Sequence, residues 1–193
     1  MDRRHFMRSG FASAVGITVG AHAFLVLSGT LSSMDDPAHR ASRKLARALR
    51  EIGTRQTVTW ARRLEANRTG AKGFSLHLRD AALTPDDAAV IARALRGLTA
   101  EEAATLVSLS LSYNAEIRDA GAVAVARALP ATLPELGLVG CGLGDRAGTA
   151  LLHWAEHAPQ IRMICVEGNR FSDRMKTRFL ELTETNEGLL VVV

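Results

Sequence analysis

The segment Leu133-Pro-Glu-Leu-Gly-Leu-Val-Gly-Cys-Gly-Leu143 carries the pattern from which the fold of this chain can be predicted. Leu136 and Leu138 are two residues apart, so an extended strand directs both side chains to the same face. The glycines on either side of Cys141 indicate a turn directly after the strand. The stretch therefore predicts a short strand with one buried face that runs at once into a turn.

The same spacing recurs in three other parts of the chain. The residues that repeat it are Leu106, Leu109, Leu111, Asn114 and Ile117; Ile161, Ile164, Val166, Asn169 and Phe171; and, in a weaker copy, Gly73, Leu76, Leu78, Ala81 and Leu83. The central position recurs at 76, 109, 136 and 164, with spacings of 33, 27 and 28 residues. One further period places a final short strand at Leu189–Val193. Repetition at such periods is typical of repeat architectures.

Helical spacing of apolar residues fills the intervals between these strands. The helices predicted in this way are Pro85–Gly97, Asp119–Pro130, Asp145–Ala158 and Ser172–Thr185. A unit of about 28 residues with one strand and one helix resembles the leucine-rich repeats of the ribonuclease-inhibitor type, and the resemblance covers residues 73–193. It implies an α/β fold, a short solenoid with parallel strands on the concave face and helices on the convex face. In this family pattern the asparagine at the turn satisfies buried backbone groups; Cys141 fills that position once and Ala81 cannot.

The outward positions of the strands then form the expected binding surface. They are Ser75, His77, Arg79, Ser108, Ser110, Ser112, Glu135, Gly137, Val139, Met163, Cys165 and Glu167, with Asp80 and Tyr113 at the rim. Small residues lie at the centre and polar residues at the flanks, which suits protein recognition better than a deep small-molecule pocket. We therefore expect a protein-protein interaction module that is not an enzyme, needs no cofactor and binds a partner that the sequence does not identify.

The first 34 residues predict a signal peptide or an N-terminal membrane anchor. Arg3, Arg4 and Phe6 resemble a bacterial twin-arginine export signal, and no charged residue follows from Ser9 to Met34. As a helix, the apolar run Gly10–Gly29 would be about 30 Å long, enough to cross a bilayer. We expect a protein exported to the periplasm, or anchored in the inner membrane and facing the periplasm. The alternative is a cytoplasm-facing domain on the same anchor, because basic residues also follow the apolar run closely.

Residues 35–72 predict a basic helical linker that caps the first repeat, and Ala41–Asn67 is its helical part. Ten lysines and arginines from Arg40 to Lys72 stand against only Glu51 and Glu65, whereas residues 73–193 carry eleven basic and fifteen acidic residues. The alternative function is therefore a membrane-surface or nucleic-acid-associated protein that acts through Arg40–Lys72. An anionic membrane surface is the favoured contact under this alternative, and a nucleic acid is the less favoured one.

His153, Glu156 and His157 match the spacing of a helical zinc-protease motif. However, Ala147, Leu151, Ala155 and Ala158 form the inward stripe of the same predicted helix, which directs both histidines outward. Only 36 residues follow, and no second helix is reserved for a third ligand. We interpret the three residues as surface side chains and expect no metal site.

Two further motifs are explained by the repeat. The glycine-rich run 140–144 lacks the third glycine of a dinucleotide-binding loop and the Lys-Ser/Thr of a P-loop, so it is interpreted as a turn. Ser108, Ser110 and Ser112 alternate along one strand, and no base or oxyanion donor lies near them in the sequence, so they are interpreted as exposed strand residues rather than nucleophiles.

The two cysteines are predicted to remain free thiols. Cys141 lies at the turn position of its unit, and Cys165 lies on the outward strand face of the next unit. Their positions in the repeat differ by four residues, about 13 Å along a strand. A disulfide requires Cα atoms within about 7 Å.

Overall fold

The computed structural model describes residues 36–66 and 73–193, so the predictions made for Arg3, Arg4 and Phe6 lie outside the described residues. The described part of the chain contains seven helices and five strands. In chain order they are α1 (Pro37–Ile52), α2 (Arg55–Ala66), β1 (Phe74–His77), α3 (Pro85–Arg96), α4 (Ala100–Ala103), β2 (Leu106–Ser110), α5 (Arg118–Ala126), β3 (Glu135–Gly137), α6 (Asp145–Ala155), β4 (Met163–Cys165), α7 (Asp173–Thr185) and β5 (Leu190–Val192). Among the described helices, none combines the length and the apolar character needed to cross a membrane.

The five strands form one parallel sheet in sequence order, β1-β2-β3-β4-β5. Strand pairing aligns Leu76, Leu109, Leu136, Ile164 and Val191 across the whole sheet. The predicted recurrence at 76, 109, 136 and 164 is therefore confirmed as the register of the sheet, and the predicted final strand is confirmed at β5. Since every strand is parallel and a helix follows each of the first four, the fold is α/β.

The core lies between the sheet and a layer of helices. The central apolar position is fully buried in each of the first four strands, from Leu76 to Ile164, and so is the next inward position of each of these strands. Along the helix layer α1 packs on α3, α3 on α5, α5 on α6 and α6 on α7. The helices therefore follow the same order as the strands, and one continuous cluster of buried side chains runs from Ala38 to Leu189.

The segment Ala41–Asn67 was predicted to be helical, and its described residues fold as two helices, α1 and α2, with a break at Gly53 and Thr54. The side chain of Asp36 caps the first turn of α1, and Pro37 stands at its first position. Gly53 ends α1 in the left-handed conformation, with φ of 75° and its N–H donating to the Leu49 carbonyl. Because glycine adopts positive φ without steric cost, the chain reverses there and α2 packs back against α1.

Capping residues set the start of α3 and α4. Thr84 with Asp87, and Thr99 with Glu102, each form a reciprocal pair in which the threonine accepts from one backbone N–H and the acid from another. Such pairs satisfy donors that a helix start leaves free. The sequence prediction missed α4, which is only four residues long. It also extended α5 to Pro130, whereas the helix ends at Ala126.

Asparagines bind successive units to one another at the turns. The amide of Asn114 donates to the carbonyl oxygens of Leu78 and Leu111, both at 2.7 Å, and its oxygen accepts from the N–H groups of Ala81 and Leu83. Asn169, two units later, repeats this arrangement. Its oxygen accepts from the N–H groups of Cys141 and Leu143, and its amide donates to the carbonyl oxygens of Leu138 and Val166. The predicted role of asparagine at this position is confirmed. Cys141 makes a weaker substitute, since its thiol donates to the Leu111 carbonyl at 3.2 Å.

Candidate interaction surface

The side of the sheet that faces away from the core carries two rows of aligned side chains, which we call the open sheet face. The first row is Ser75, Ser108, Glu135, Met163 and Leu190. The second row is His77, Ser110, Gly137, Cys165 and Val192. Neighbouring strands lie about 4.8 Å apart, so each row crosses about 19 Å of surface.

A third row continues the surface just past the strand ends. It consists of Arg79, Ser112, Val139 and Glu167. Backbone hydrogen bonds hold the chain extended there: the N–H of Asp80 donates to the Ser112 carbonyl, and the N–H of Gly140 donates to the Glu167 carbonyl, both at 3.0 Å. The sheet pairing thus extends beyond the short strands and aligns this row with the other two.

Most predicted surface residues are accessible. His77, Arg79, Asp80, Tyr113 and Glu167 are exposed. Ser75, Ser110, Glu135, Gly137, Val139, Met163 and Cys165 are partly exposed. The prediction of exposure is wrong for Ser108 and Ser112, which are 7% and 2% exposed.

Hydrogen bonds explain why these two serines are covered. The Oγ of Ser108 lies 3.0 Å from His77 Nε2, so the imidazole lies over it. The hydroxyl of Ser112 accepts from the N–H of Val139 at 3.1 Å. A Cβ on Gly137 would lie 2.9 Å from Ser110 Oγ and 3.2 Å from Ser112 Oγ, so the absence of a side chain there makes room for both hydroxyls. Ser112 therefore joins β2 to the next unit rather than facing a partner.

His77 lies 31 positions before Ser108 in the sequence, but the fold brings its imidazole into contact with the serine hydroxyl. His77 also packs edge-on against Trp60 of α2, with ring centroids 6.3 Å apart. Within residues 36–66 and 73–193, no carboxylate is hydrogen-bonded to the imidazole. A base that activates a serine is normally oriented by such a third group. The pair is thus explained by packing at the β1 end of the sheet.

The open sheet face changes character from one end to the other. At the β1 end, cations lie over aromatic rings: Arg63 is 5.1 Å from the Trp60 centroid, and Arg79 is 4.9 Å from the Tyr113 centroid. At the β5 end, the side chains are apolar, and Leu190 is 55% exposed beside Met163. Sequence reasoning did not include Leu190 and Val192 in the surface, although the predicted final strand supplied the signal.

Cys165 belongs to the apolar end but lies near two acids. Burial raises the pKa of its thiol, and the charges of Glu167 and Glu135 raise it further. The thiol is consequently protonated at neutral pH and contributes a neutral, weakly polar group. The structure holds both cysteines as free thiols, with Cys141 buried in the turn and Cys165 in β4 opposite Gly137.

The histidine motif lies on the far side of the molecule from the sheet. His153, Glu156 and His157 are exposed, and their ligand atoms lie within 4.8 Å of one another. His157 Nδ1 lies 2.8 Å from the His153 carbonyl oxygen. The predicted outward direction is confirmed, and the predicted inward stripe of α6 is buried. The absence of a metal site stays a prediction.

The glycine-rich run has the conformation of a turn. Gly140 and Gly142 have φ values of 60° and 69°. Cys141, which lies between them, and Leu143, which follows them, are fully buried. Tyr113 has a φ of 63° at the position that corresponds to Gly140 in the preceding unit. The run therefore repeats the left-handed step of the other turns.

Part of the basic segment is engaged inside the protein. Glu102 of α4 is 2% exposed, and its carboxylate accepts from Lys44 Nζ at 2.6 Å and from Arg40 Nε at 3.3 Å. Lys44 also donates to the Gly97 carbonyl at 2.9 Å. Arg50 pairs with Glu65 across the α1–α2 hairpin. Several basic residues of Arg40–Lys72 thus fasten α1 to its neighbours.

No protein-family model and no curated protein matches this sequence. Among solved structures, the chain is similar to "Leiomodin-1 Actin-Binding Site 2 (ABS2)", with a TM-score of 0.53 and 13% identity over 82% of this chain and 77% of that chain. It is also similar to a chain of the Rad7 and Elc1 complex in yeast, with a TM-score of 0.48 and 16% identity, over 91% of this chain and 46% of that chain. A third likeness, to the Chaetomium Mex67:Mtr2 subunits, has a TM-score of 0.43 at 16% identity over 63% of this chain and 78% of that chain. At these identities the first likeness describes the fold alone.

Proposed function

We propose that the chain is a leucine-rich-repeat module that binds a protein partner on its open sheet face. In this proposal the units stack as a short solenoid, with the open sheet face on the concave side and the helices on the convex side. The proposal is supported by the common register of the strands and by the asparagines that join successive turns. A surface built from parallel rows of side chains is what repeat proteins use to bind extended partners.

The observation that carries the proposal is the arrangement of the two rows across all five strands. Their backbone is rigid because ladder hydrogen bonds fix it, and no side chain of the rows fills the core. Apolar groups cluster at the β5 end, and cation-aromatic contacts cluster at the β1 end. Exposed apolar residues next to ordered polar and aromatic ones are typical of protein interfaces.

The partner is expected to bind mainly at the apolar end of the open sheet face. Leu190 is exposed, and Met163 and Cys165 beside it are partly exposed, so their burial would supply the hydrophobic part of the binding energy. Glu135 and Glu167 flank this region, so the complementary surface of the partner would carry basic or neutral polar groups.

The experiment compares partner capture by the wild type, by a double variant of the open sheet face and by a control variant of the helix layer. The tagged full chain is purified from its native envelope, and bound proteins are identified by mass spectrometry. Met163→Lys with Leu190→Lys should abolish capture of the specific partner. Leu180→Lys is the matched control, because Leu180 is 50% exposed on α7, away from the open sheet face. Loss of the partner in the control with retention in the double variant would contradict the proposal.

We further propose that the protein works at the bacterial cell envelope, facing the periplasm. Support comes from Arg3, Arg4 and Phe6 and from the uncharged stretch that follows them. Replacement of both arginines by lysine should reduce the amount of protein in the membrane and periplasmic fractions and increase the amount in the cytosolic fraction. An unchanged distribution would contradict export through this signal.

A further inference from the structure

A groove of about 650 Å³ lies between α1 and α3, on the helix layer and away from the open sheet face. Its floor is small and apolar, formed by Ala48, Val90 and Ala94. Its rim carries six basic side chains: Arg40, Arg43, Lys44, Arg47, Arg50 and Arg93. Only two acids, Glu51 and Glu65, line the same groove. The groove therefore joins an apolar base to a strongly basic edge.

Two of the rim arginines are available to an external anion. Lys44 is paired with Glu102, Arg50 with Glu65, and Arg93 with Glu51. Arg43 and Arg47 are exposed, and within the described ranges neither forms an ion pair. They are four residues apart on α1, so their side chains project from the same face of the helix. Guanidinium groups are well suited to binding phosphate, because their planar N–H donors match its oxygen atoms.

The position of α1 in the chain indicates which anion reaches the groove. Only residues 30–36 separate the uncharged run Gly10–Gly29 from the start of α1 at Pro37. Seven residues span at most about 25 Å. A basic helix this close to an apolar segment would lie within reach of a membrane surface whenever that segment is in the bilayer.

We propose that the groove between α1 and α3 binds the headgroups of anionic phospholipids through Arg43 and Arg47. The phosphate contacts the two guanidinium groups, and the small apolar floor contacts the glycerol and upper acyl carbons. A basic patch beside an apolar segment adds an electrostatic attachment to anionic headgroups and can set the orientation of the domain on the membrane. The groove would thereby hold the helix layer toward the bilayer and leave the open sheet face directed elsewhere.

The experiment uses the full chain and vesicles of phosphatidylcholine with or without phosphatidylglycerol. The apolar run contributes to binding of both vesicles, so the measured quantity is the gain in affinity caused by phosphatidylglycerol. Each basic residue near an anionic surface strengthens binding about fivefold. Arg43→Gln with Arg47→Gln should therefore reduce the gain by about twentyfold or more, and high salt should reduce it in the wild type.

Matched controls separate this site from general charge and from the open sheet face. Arg174→Gln with Arg178→Gln removes two arginines at the same spacing from α7 and should leave the gain unchanged. Met163→Lys with Leu190→Lys should also leave it unchanged, so failure of the partner-binding proposal would be recognised separately. Hydrogen exchange should slow in α1 and α3 when phosphatidylglycerol vesicles are added.

Three outcomes would overturn the proposal. An equal loss of the gain in both arginine double variants would show general charge attraction. An unchanged gain after Arg43 and Arg47 are replaced would remove the groove from the interaction. Displacement of the vesicles by a poly-glutamate peptide that slows exchange in α1 and α3 more strongly than they do would identify an acidic protein segment as the occupant instead.

Discussion

Asn114 Nδ2 lies 2.7 Å from the carbonyl oxygen of Leu78, a residue 36 positions earlier in the chain. The same side chain accepts from Ala81 and Leu83, so one buried amide satisfies backbone groups of two turns. Asn114 is 2% exposed, which leaves little room for water to replace it. Asn114 therefore joins the first two units and contributes to the stability of both.

Asn114→Ala should lower the free energy of unfolding by about 3 kcal/mol, because a buried donor or acceptor without a partner costs about 1 to 3 kcal/mol. Urea denaturation followed by circular dichroism measures the change. Asn186→Ala is the control, since Asn186 caps the C-terminal end of α7 and is only partly buried. Similar losses in the two variants would contradict the role assigned to Asn114.

Leu136→Ala tests the register of the sheet. Leu136 is fully buried between Leu109 and Ile164, so its truncation should cost about 2 to 5 kcal/mol. Leu190→Ala on the open sheet face should cost less than about 0.5 kcal/mol, as is usual for an exposed position. A melting temperature of Leu136→Ala equal to that of the wild type would refute the register.

Lys44→Met should destabilise the protein more than Arg43→Met. Lys44 holds the buried carboxylate of Glu102 and is itself about half exposed, so we expect a loss of about 1 to 2 kcal/mol. Arg43 is a neighbour on the same helix and forms no ion pair within the described ranges, so its replacement should change stability by less than about 0.5 kcal/mol. Equal effects in denaturant titrations would show that the contact with Glu102 contributes nothing.

Glu102 should also make stability depend on pH. Burial alone would raise its pKa, but hydrogen bonds from Lys44 and from the Thr99 N–H outweigh burial, so the pKa is lowered. A lowered pKa in the folded state gives stability that is present above the ordinary pKa of about 4.3 and is lost as the pH falls through the folded value. The stability advantage of the wild type over Glu102→Gln should therefore be full at pH 7 and shrink in acid. A constant difference over this range would contradict the assignment.

Alkylation should modify Cys165 before Cys141. Cys141 is fully buried, and burial raises the pKa of its thiol to about 11, whereas Cys165 is partly exposed. Because the thiolate is the reactive form, both rates should increase as the pH rises. Mass spectrometry without reductant should show one adduct on the native protein and two after unfolding. A stable intramolecular disulfide would show that β3 and β4 are not paired as described.

The repeated leucines made the sheet predictable from the sequence. A strand with inward residues two apart, recurring at a near-constant period, allows only one register when each strand pairs with the next. The helix ends were less predictable, because a glycine such as Gly53 is compatible both with the interior of one long helix and with the end of a shorter one. The four-residue α4 has no periodicity to detect, and only its threonine-acid pair marks it.

The sequence predicted which positions lie on the open sheet face, but not how exposed each side chain is or what it contacts. Whether an outward serine is exposed depends on residues from other strands, and Ser108 is covered by His77 from β1. The packing of Trp60 against His77 could not be deduced, because the sequence did not show where the predicted helical segment would break and turn back. The pairing of Lys44 with Glu102 joins residues 58 positions apart, and no local pattern reports such a contact.

The identity of sequence order and sheet order has a consequence for how this protein unfolds. Each strand is paired only with its neighbours in the chain, so no early segment is enclosed by a late one. In such an arrangement, stability is a sum of local terms and of contacts between adjacent units. Within the described residues β1 and β5 each have a single neighbouring strand, but Trp60 of α2 packs against His77 of β1, so fraying is expected to begin more readily at the β5 edge and to progress one unit at a time. A protease that cleaves at the β5 edge would therefore remove the unit of β5 first, while the units that precede it in the sheet remain folded.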